Sequence, residues 1–394
     1  MHKLTNDIYT DYAATTPIDN EVLNVMRPYF LDIYGNPSSF HSKGLEAKNA
    51  MDQARNVISN ILNCNSDEII FTSGGTESIN LALKGIAQAY RLKGNHIITS
   101  KIEHHAVINT CKFLEKNGFE ITYLDVDKYG LVNPNDVQTA ITDKTILISI
   151  MYANNEIGTI EPIQKIGEIA KLRKVLFHTD ACQAAGVLDL NIKNLNVDLL
   201  SLNGSKVYGP KGAGILYLRK GVNIEPLIHG GDQEKGIRSG TENIPSIIGF
   251  AKALELSQKN KEIENTRLKE LSSHLINNLL KIPKTRLNGH PTQRLSNNVN
   301  ISFMDIEGEA MLLHLDKQGI YASTGSACAS KSLEPSHVLS AIGLSYEGAH
   351  GSIRFTLGKN TSKADIAKII QVMPEIVNNL RNISPVNLSM EHFQ

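Results

Sequence analysis

Between about residues 20 and 220 the chain alternates two patterns. Apolar runs of five to seven residues are interleaved with longer segments whose apolar side chains recur at helical spacing. Ala47, Ala50, Met51, Ala54, Val57, Ile58, Ile61 and Leu62 mark one such segment, with one face of an amphipathic helix apolar. The pattern predicts strands over 68–72, 96–100, 120–125, 145–151, 176–180, 198–202 and 214–218. It predicts helices over 76–90, 104–116 and 162–174, the last with proline in its first turn. Short apolar strands separated by helices do not read as an all-β or all-α chain. They argue for an α/β fold with a mostly parallel sheet covered on both faces. In such sheets ligands sit beyond the carboxyl ends of the strands.

After Gly240 the alternation stops. Residues 245–281 read as one or two long helices rich in Lys, Glu, Asn and Leu. Strand patterns return at 298–303 and 352–357, with helices near 307–318 and 362–380, as in a smaller α/β unit. We therefore expect a large domain over 15–255, and a small domain made of 1–14 and 256–394. With 394 residues, 41% hydrophobic content and 40 basic against 40 acidic residues, disorder is excluded. A neutral chain is also a poor electrostatic match to nucleic acid. Residues 1–10 lack the apolar run of a secretion signal, and no run approaches the roughly 20 apolar residues of a membrane span. The four cysteines, Cys64, Cys111, Cys182 and Cys328, are far apart, with no C-x-x-C or H-E-x-x-H pattern. The expectation is a cytoplasmic protein in a reducing compartment, with no metal and no membrane contact.

Four segments carry chemistry. Thr72-Ser73-Gly74-Gly75-Thr76-Glu77 runs from a strand end into a helix start, where glycines and backbone N–H groups suit an anion such as phosphate. His178-Thr179-Asp180-Ala181-Cys182-Gln183 places a carboxylate at a strand's carboxyl end, where it can hold a ring nitrogen protonated. Lys206 follows another strand in the glycine-rich turn from Asn203 to Gly212 and can form an imine if its amine is partly neutral. That turn fits neither G-x-x-x-x-G-K-[ST] nor G-x-G-x-x-G, so nucleotide binding through it is not supported. Ser323-Thr324-Gly325-Ser326-Ala327-Cys328-Ala329-Ser330 sets one thiol among small residues, unlike a packing cysteine. A phosphate cradle, an acid for a ring nitrogen and an imine lysine are what pyridoxal phosphate requires. The thiol is a second nucleophile that transamination does not use.

These residues, in this order, resemble the cysteine desulfurases of the NifS/IscS type, pyridoxal 5'-phosphate enzymes of the aminotransferase-like fold (fold type I). The resemblance runs from Tyr9 to Phe355. It includes Gly35-Asn36-Pro37-Ser38-Ser39, Glu103-His104-His105-Ala106-Val107, Asn154-Asn155-Glu156-Ile157-Gly158, Arg238-Ser239-Gly240-Thr241-Glu242-Asn243 and Leu333-Glu334-Pro335-Ser336. It implies that Lys206 carries the cofactor and then moves the Cα proton. Asp180 then partners the pyridinium nitrogen, Gln183 the ring oxygen, and His104 stacks on the ring. Gly75, Thr76 and Ser205 take the phosphate, while Thr241 reaches the phosphate of a neighbouring subunit, which implies a homodimer. Asn155 also contacts the cofactor and, with Arg354 and Asn36, anchors the carboxylate of the substrate, L-cysteine; a bidentate arginine is the natural reader of that group. Cys328 is the implied thiol that takes the substrate sulfur as a persulfide, releasing L-alanine. The sulfur then passes to a protein acceptor, an iron–sulfur scaffold or a tRNA 2-thiouridylase. The family usually has histidine where Ser205 stands and serine where Asn203 stands; a serine hydroxyl still donates to phosphate. The end of the chain, 382–394, does not resemble the scaffold-binding tail of the housekeeping members, which favours tRNA thiolation or a general donor role. Plain transamination, selenocysteine lyase activity and a non-catalytic sulfur-assembly role are the competing readings.

Overall fold

The computed structural model describes residues 7–324, 335–385 and 387. After a two-residue strand, β1 (Ile8–Tyr9), come β2 (Ile69–Thr72), β3 (His96–Ser100), β4 (Glu120–Leu124), β5 (Thr145–Ser149), β6 (Leu176–Asp180), β7 (Leu199–Asn203) and β8 (Gly214–Leu218). The last seven form one sheet in the order β2-β8-β7-β6-β5-β3-β4. Pairings among β3 to β7 are parallel, and β8 runs antiparallel to both β2 and β7. The mostly parallel sheet expected from the sequence is thus present, with one reversed strand.

Successive strand residues supply opposite faces, as the pleat requires. Ile98, Ile148, Leu200 and Ile215 join one hydrophobic core, and their neighbours Ile97, Leu147, Leu199 and Leu216 join another. β3, β5 and β8 are buried along their whole length, whereas the edge strand β4 is mostly half-buried or exposed. This is why the central strands read as continuous apolar runs. Helix Ser42–Leu62 packs on helix Ile244–Lys259 over one face, and helices Gly75–Ala89 and His105–Glu115 pack together over the other.

The remaining strands are β9 (Thr285–Leu287), β10 (Asn298–Phe303), β11 (Ile320–Tyr321) and β12 (Ser352–Thr356). The order β12-β10-β9 makes a small antiparallel sheet, while β1 pairs in parallel with β11. Helices Lys261–Leu279, Gly308–Lys317 and Lys363–Ile383 bury Leu275, Met311, Leu315 and Met373 with Phe303 and Phe355 in a further core, which Ile8 joins. The long helical stretch of the sequence proves to be two helices divided at Asn260. Helix Pro134–Ala140 and strands β1, β9 and β11 were not legible, because runs this short show little periodicity. No helix among the described residues is long and apolar enough to cross a membrane.

One buried ion pair fastens the segment around residue 234 to this frame. Arg55 donates from both terminal nitrogens to the Glu234 carboxylate, at 2.9 and 2.6 Å, and its guanidinium lies over the Phe71 ring. The same carboxylate accepts from Phe71 N at 2.8 Å, and Glu234 adopts a left-handed φ of 46° to reach it. Removing the cation strands a carboxylate whose side chain is 2% exposed. Arg55→Ala should therefore destabilise the fold by about 3 kcal/mol in urea unfolding. Arg55→Lys should recover only part of the loss, since an ammonium cannot bind both oxygens in a fork. Wild-type unfolding in Arg55→Ala would contradict this.

Candidate functional site

The carboxyl ends of the parallel strands face the same edge of the sheet. β6 ends at Asp180, and β7 ends at Asn203 before a tight turn, Gly204–Lys206. β2 ends at Thr72, followed by Ser73, Gly74 and helix Gly75–Ala89. β3 leads to Glu103 and His104, and β5 to Met151 and Asn155. Together these ends enclose a cavity of about 360 Å³. Its wall holds Gly75, Thr76, His104, Asn155, Asp180, Gln183, Lys206 and Arg354. Most of the site residues read from the sequence are therefore brought together.

Lys206 is largely buried, and its amine donates to the carbonyls of Ala13 (2.7 Å) and Ala14 (2.6 Å). Burial first, and the nearby Arg354 cation, hold its pKa below that of an ordinary lysine; the carboxylates of Asp11 and Asp180 and the Cys182 thiol oppose this. An amine whose neutral form is made more accessible is what imine chemistry requires. Asp180 is 6% exposed and accepts from the Cys182 N–H at 3.0 Å. Two residues before it, the His178 ring lies 2.9 Å from both Ser149 Oγ and Ser201 Oγ, joining β5, β6 and β7. Burial lowers the His178 pKa to about 4, so the ring is a neutral strut that fixes the strand carrying Asp180.

His104 is the N-cap of helix His105–Glu115, with Nδ1 accepting from Ala106 N at 3.1 Å. That contact leaves the ring hydrogen on Nε2 in the neutral form. Desolvation lowers the His104 pKa against the opposing pull of Asp180. Helix Gly75–Ala89 begins at Gly74, whose φ of 146° suits glycine, and no side chain caps its first turn. A Cβ on Gly75 would stand 2.7 Å from Cys182 Sγ, so the backbone here packs directly on the segment after Asp180. A helix N-terminus open at the cavity, a carboxylate, an amine and an imidazole form a donor set that fits pyridoxal phosphate.

Arg354 on β12 brings the small sheet to the site. It donates to Asp11 Oδ1 at 2.7 Å and to the Asn155 carbonyl at 3.0 Å. Gln183 donates to the Ala13 carbonyl at 3.0 Å. Ser205 is buried beside the cavity but outside its wall, its hydroxyl donating to Asn203 Oδ1 at 3.2 Å. Asn36 and Thr241 are exposed and not in the cavity wall. Asn36 instead accepts from Ser38 N at 2.9 Å. Cys328 lies outside the described residues. The sequence reading passed over Asp11, Asn203 as a hydrogen-bonding group, the carbonyls of Ala13 and Ala14, and the carboxyl of Glu103. All of them lie inside segments the sequence marks, but nothing in those segments singles out the atoms concerned.

Residues 8–369 match the family model described as aminotransferase class-V. The chain is 57% identical over 379 residues to a cysteine desulfurase IscS of Methanosarcina thermophila, covering 96% of this chain and 94% of the relative. It is 55% identical over 385 residues to a cysteine desulfurase IscS of Dictyoglomus turgidum, covering 97% of each. Among solved structures, a NifS-like protein superposes with a TM-score of 0.90 at 37% identity, covering 95% of this chain and all of that one. A structure described as SspA in complex with cysteine gives 0.79 at 39% identity, over 89% of this chain and 98% of that one.

The tight contact of Gly75 with Cys182 can be tested directly. Gly75→Ala should cost about 1–3 kcal/mol in urea unfolding. Adding Cys182→Ala should return much of that loss, giving a strongly non-additive double-mutant cycle. Additive effects would show that the two residues do not press on one another.

Proposed function

This chain belongs to the class-V aminotransferase family, among the cysteine desulfurases of the IscS and NifS type, and from that premise we propose how its own residues carry out the reaction. L-Cysteine gives up its sulfur and leaves as L-alanine: the substrate C–S bond breaks, its Cβ gains a proton, and an S–S bond forms to Cys328. The balance is L-cysteine plus the Cys328 thiol giving L-alanine plus the Cys328 persulfide. The observation that carries this reading is one cavity gathering Lys206, Asp180 and His104 against the open start of helix Gly75–Ala89.

Lys206, Asp180, Gln183, His104, Gly75 and Thr76 would hold pyridoxal phosphate, with Ser205 and Asn155 close by. When bound, that cofactor supplies an electron sink that acidifies the substrate Cα proton and allows the sulfur to depart. Asp180 offers a carboxylate to the ring nitrogen, and the lowered amine pKa of Lys206 equips it to take the Cα proton and return it. His104, with its hydrogen on Nε2, can pass a proton within the cavity. Arg354 and Asn155 orient the substrate carboxylate, and Asp11 fixes the guanidinium for that task. Burial raises the thiol pKa of Cys64, Cys111 and Cys182, so none of the three is a ready thiolate near pH 7. The small residues flanking Cys328 in the sequence and the family resemblance assign the nucleophile to it.

The same reading assigns a homodimer. Thr241 stands exposed outside the cavity and would serve the site of a second copy; Asn36 stands exposed as well. The exposed side chains of Phe30, Leu31, Tyr34 and Phe40 near Asn36 are suited to such a contact. Residues 15–255 form the large domain, and 1–14 with 256–394 the small one. Sulfur goes from Cys328 to a protein acceptor, an iron–sulfur scaffold or a tRNA 2-thiouridylase, in the cytoplasm, whose reducing character keeps a persulfide exchangeable.

With a thiol reductant, L-cysteine should yield alanine and sulfide in equal amounts with no keto acid. Cys328→Ala should lower turnover about a thousandfold or more while the protein remains yellow. Lys206→Ala should lose that colour. Full desulfurase activity in Cys328→Ala, or a keto-acid requirement, would refute the mechanism. The dimer is tested by mixing chains: Lys206→Ala and Thr241→Ala subunits refolded together should recover up to about a quarter of wild-type sites. No recovery above the separate variants would rule out sharing of Thr241 between subunits.

A further inference from the structure

Glu103 has no part in the chemistry above, yet it is 0% exposed and sits in the cavity wall, one residue before His104. Its Oε1 accepts from Met151 N at 3.0 Å and from Ser100 Oγ at 2.7 Å. Met151 opens the loop that carries Asn155, and that loop returns a second tie, Asn154 Nδ2 donating to the Ile102 carbonyl at 2.8 Å. The Glu103 carbonyl lies 2.8 Å from His337 Nε2, which brings in the helix His337–Ala341. One residue thus joins the His104 turn, the Asn155 loop and a segment of the small unit. Its other carboxyl oxygen, Oε2, is buried with no hydrogen-bond partner among the described residues.

We propose that Glu103 is a positioning residue for the desulfurase site, its side chain setting His104 and Asn155 at a fixed spacing across the cavity. This rests on the functional reading above. A simple packing role would be met by an apolar side chain, whereas the carboxyl accepts from both the β3 end and the β5 exit. Misplacement of a reacting group by about 1 Å can cost on the order of 100-fold in rate.

The protonation of Glu103 follows from its surroundings. Burial raises its pKa to about 8; the hydrogen bonds from Met151 and Ser100 oppose this, and the Asp180 carboxylate adds to it. The other titratable groups around it are Glu161 beyond β5, Cys111 on helix His105–Glu115, and the rings of His104 and His337. The cations Lys206 and Arg354 line the same cavity, but the charge that bears on Glu103 is that of Asp180, which opposes its ionisation. In the unfolded chain the carboxyl loses its proton in the ordinary carboxylate range, while the folded protein keeps it up to about pH 8. Stability therefore falls as pH rises through that window and levels off above it.

Two substitutions separate positioning from packing. Glu103→Gln keeps an acceptor for Met151 and Ser100 and removes the ionisation; Glu103→Met keeps the volume and removes the acceptor. Glu103→Met should lower kcat about 10- to 100-fold per cofactor-loaded site. It should also speed amide exchange at Met151 while β8 stays protected. Glu103→Gln should restore both, and its Tm should gain on wild type steadily from pH 5 to 8 and then hold. If Glu103→Met does not fold, Glu103→Asp, too short to span both donors, should show the same loss of kcat and of Met151 protection. Wild-type kcat in Glu103→Met or Glu103→Asp overturns the proposal. So does a Glu103→Gln variant as impaired as Glu103→Met, or a Tm difference independent of pH. Met151 exchange and the Tm comparison do not depend on the reaction, whereas absence of alanine formation by wild type would overturn the functional reading instead.

Discussion

The amine of Lys206, held between the carbonyls of Ala13 and Ala14, joins the two halves of this protein. A buried ammonium needs acceptors, and here they come from a segment that belongs to neither face of the large sheet. That segment is tied in several ways. Thr16 N donates to the Ser205 carbonyl, Gln183 to the Ala13 carbonyl, and Thr10 N to the Tyr321 carbonyl. Asp11 completes the strap by pairing with Arg354 on β12. Residues 8–16 therefore run across the junction, and Asp11, Ala13, Ala14 and Thr16 each meet a residue in or beside the cavity. Displacing the strap would loosen the lysine, the arginine and Gln183 together.

The sheet beneath explains why the site forms where it does. Six strands end at one edge, and the central strands were legible because both their faces are buried, so the apolar runs are continuous. Asp180 was legible for the same reason: a lone carboxylate at the end of such a run stands out. The support for Asp180 was not legible. His178 occurs in the same motif, but its role depends on Ser149 and Ser201, which lie on neighbouring strands 29 and 23 residues away. Contacts of that kind are set by strand order, and strand order has no local signature.

The rest of the site divides in the same way. Lys206 could be identified from its position after a strand, and His104 from family resemblance. The Ala13 and Ala14 carbonyls could not, since backbone acceptors carry no residue type. Gly75 was read as an anion-binding glycine. The structure gives it a second reason, because Cys182 leaves no space for a Cβ. Thr241 and Asn36 show the limit of reasoning within one chain. Their motifs mark them as functional, yet both are exposed and lie outside the cavity wall.

Burial acts in opposite senses on the groups that surround the cavity, and this ordering bears directly on mechanism. It lowers the pKa of Lys206 and His104, moving both bases toward their neutral forms, and raises that of the Glu103 acid. Asp180 is held differently: it accepts the Cys182 N–H and has the Lys206 amine among its near charges. The cavity wall thus sets Asp180, at the end of β6, near the buried Glu103 carboxyl, whose pKa is raised. Two ionised carboxylates there would work against the neutral state of Lys206 and His104, since each negative charge favours the protonated base. A proton retained on Glu103 avoids adding a further negative charge to those of Asp180 and Asp11 near Lys206 and of Asp180 and Glu156 near His104.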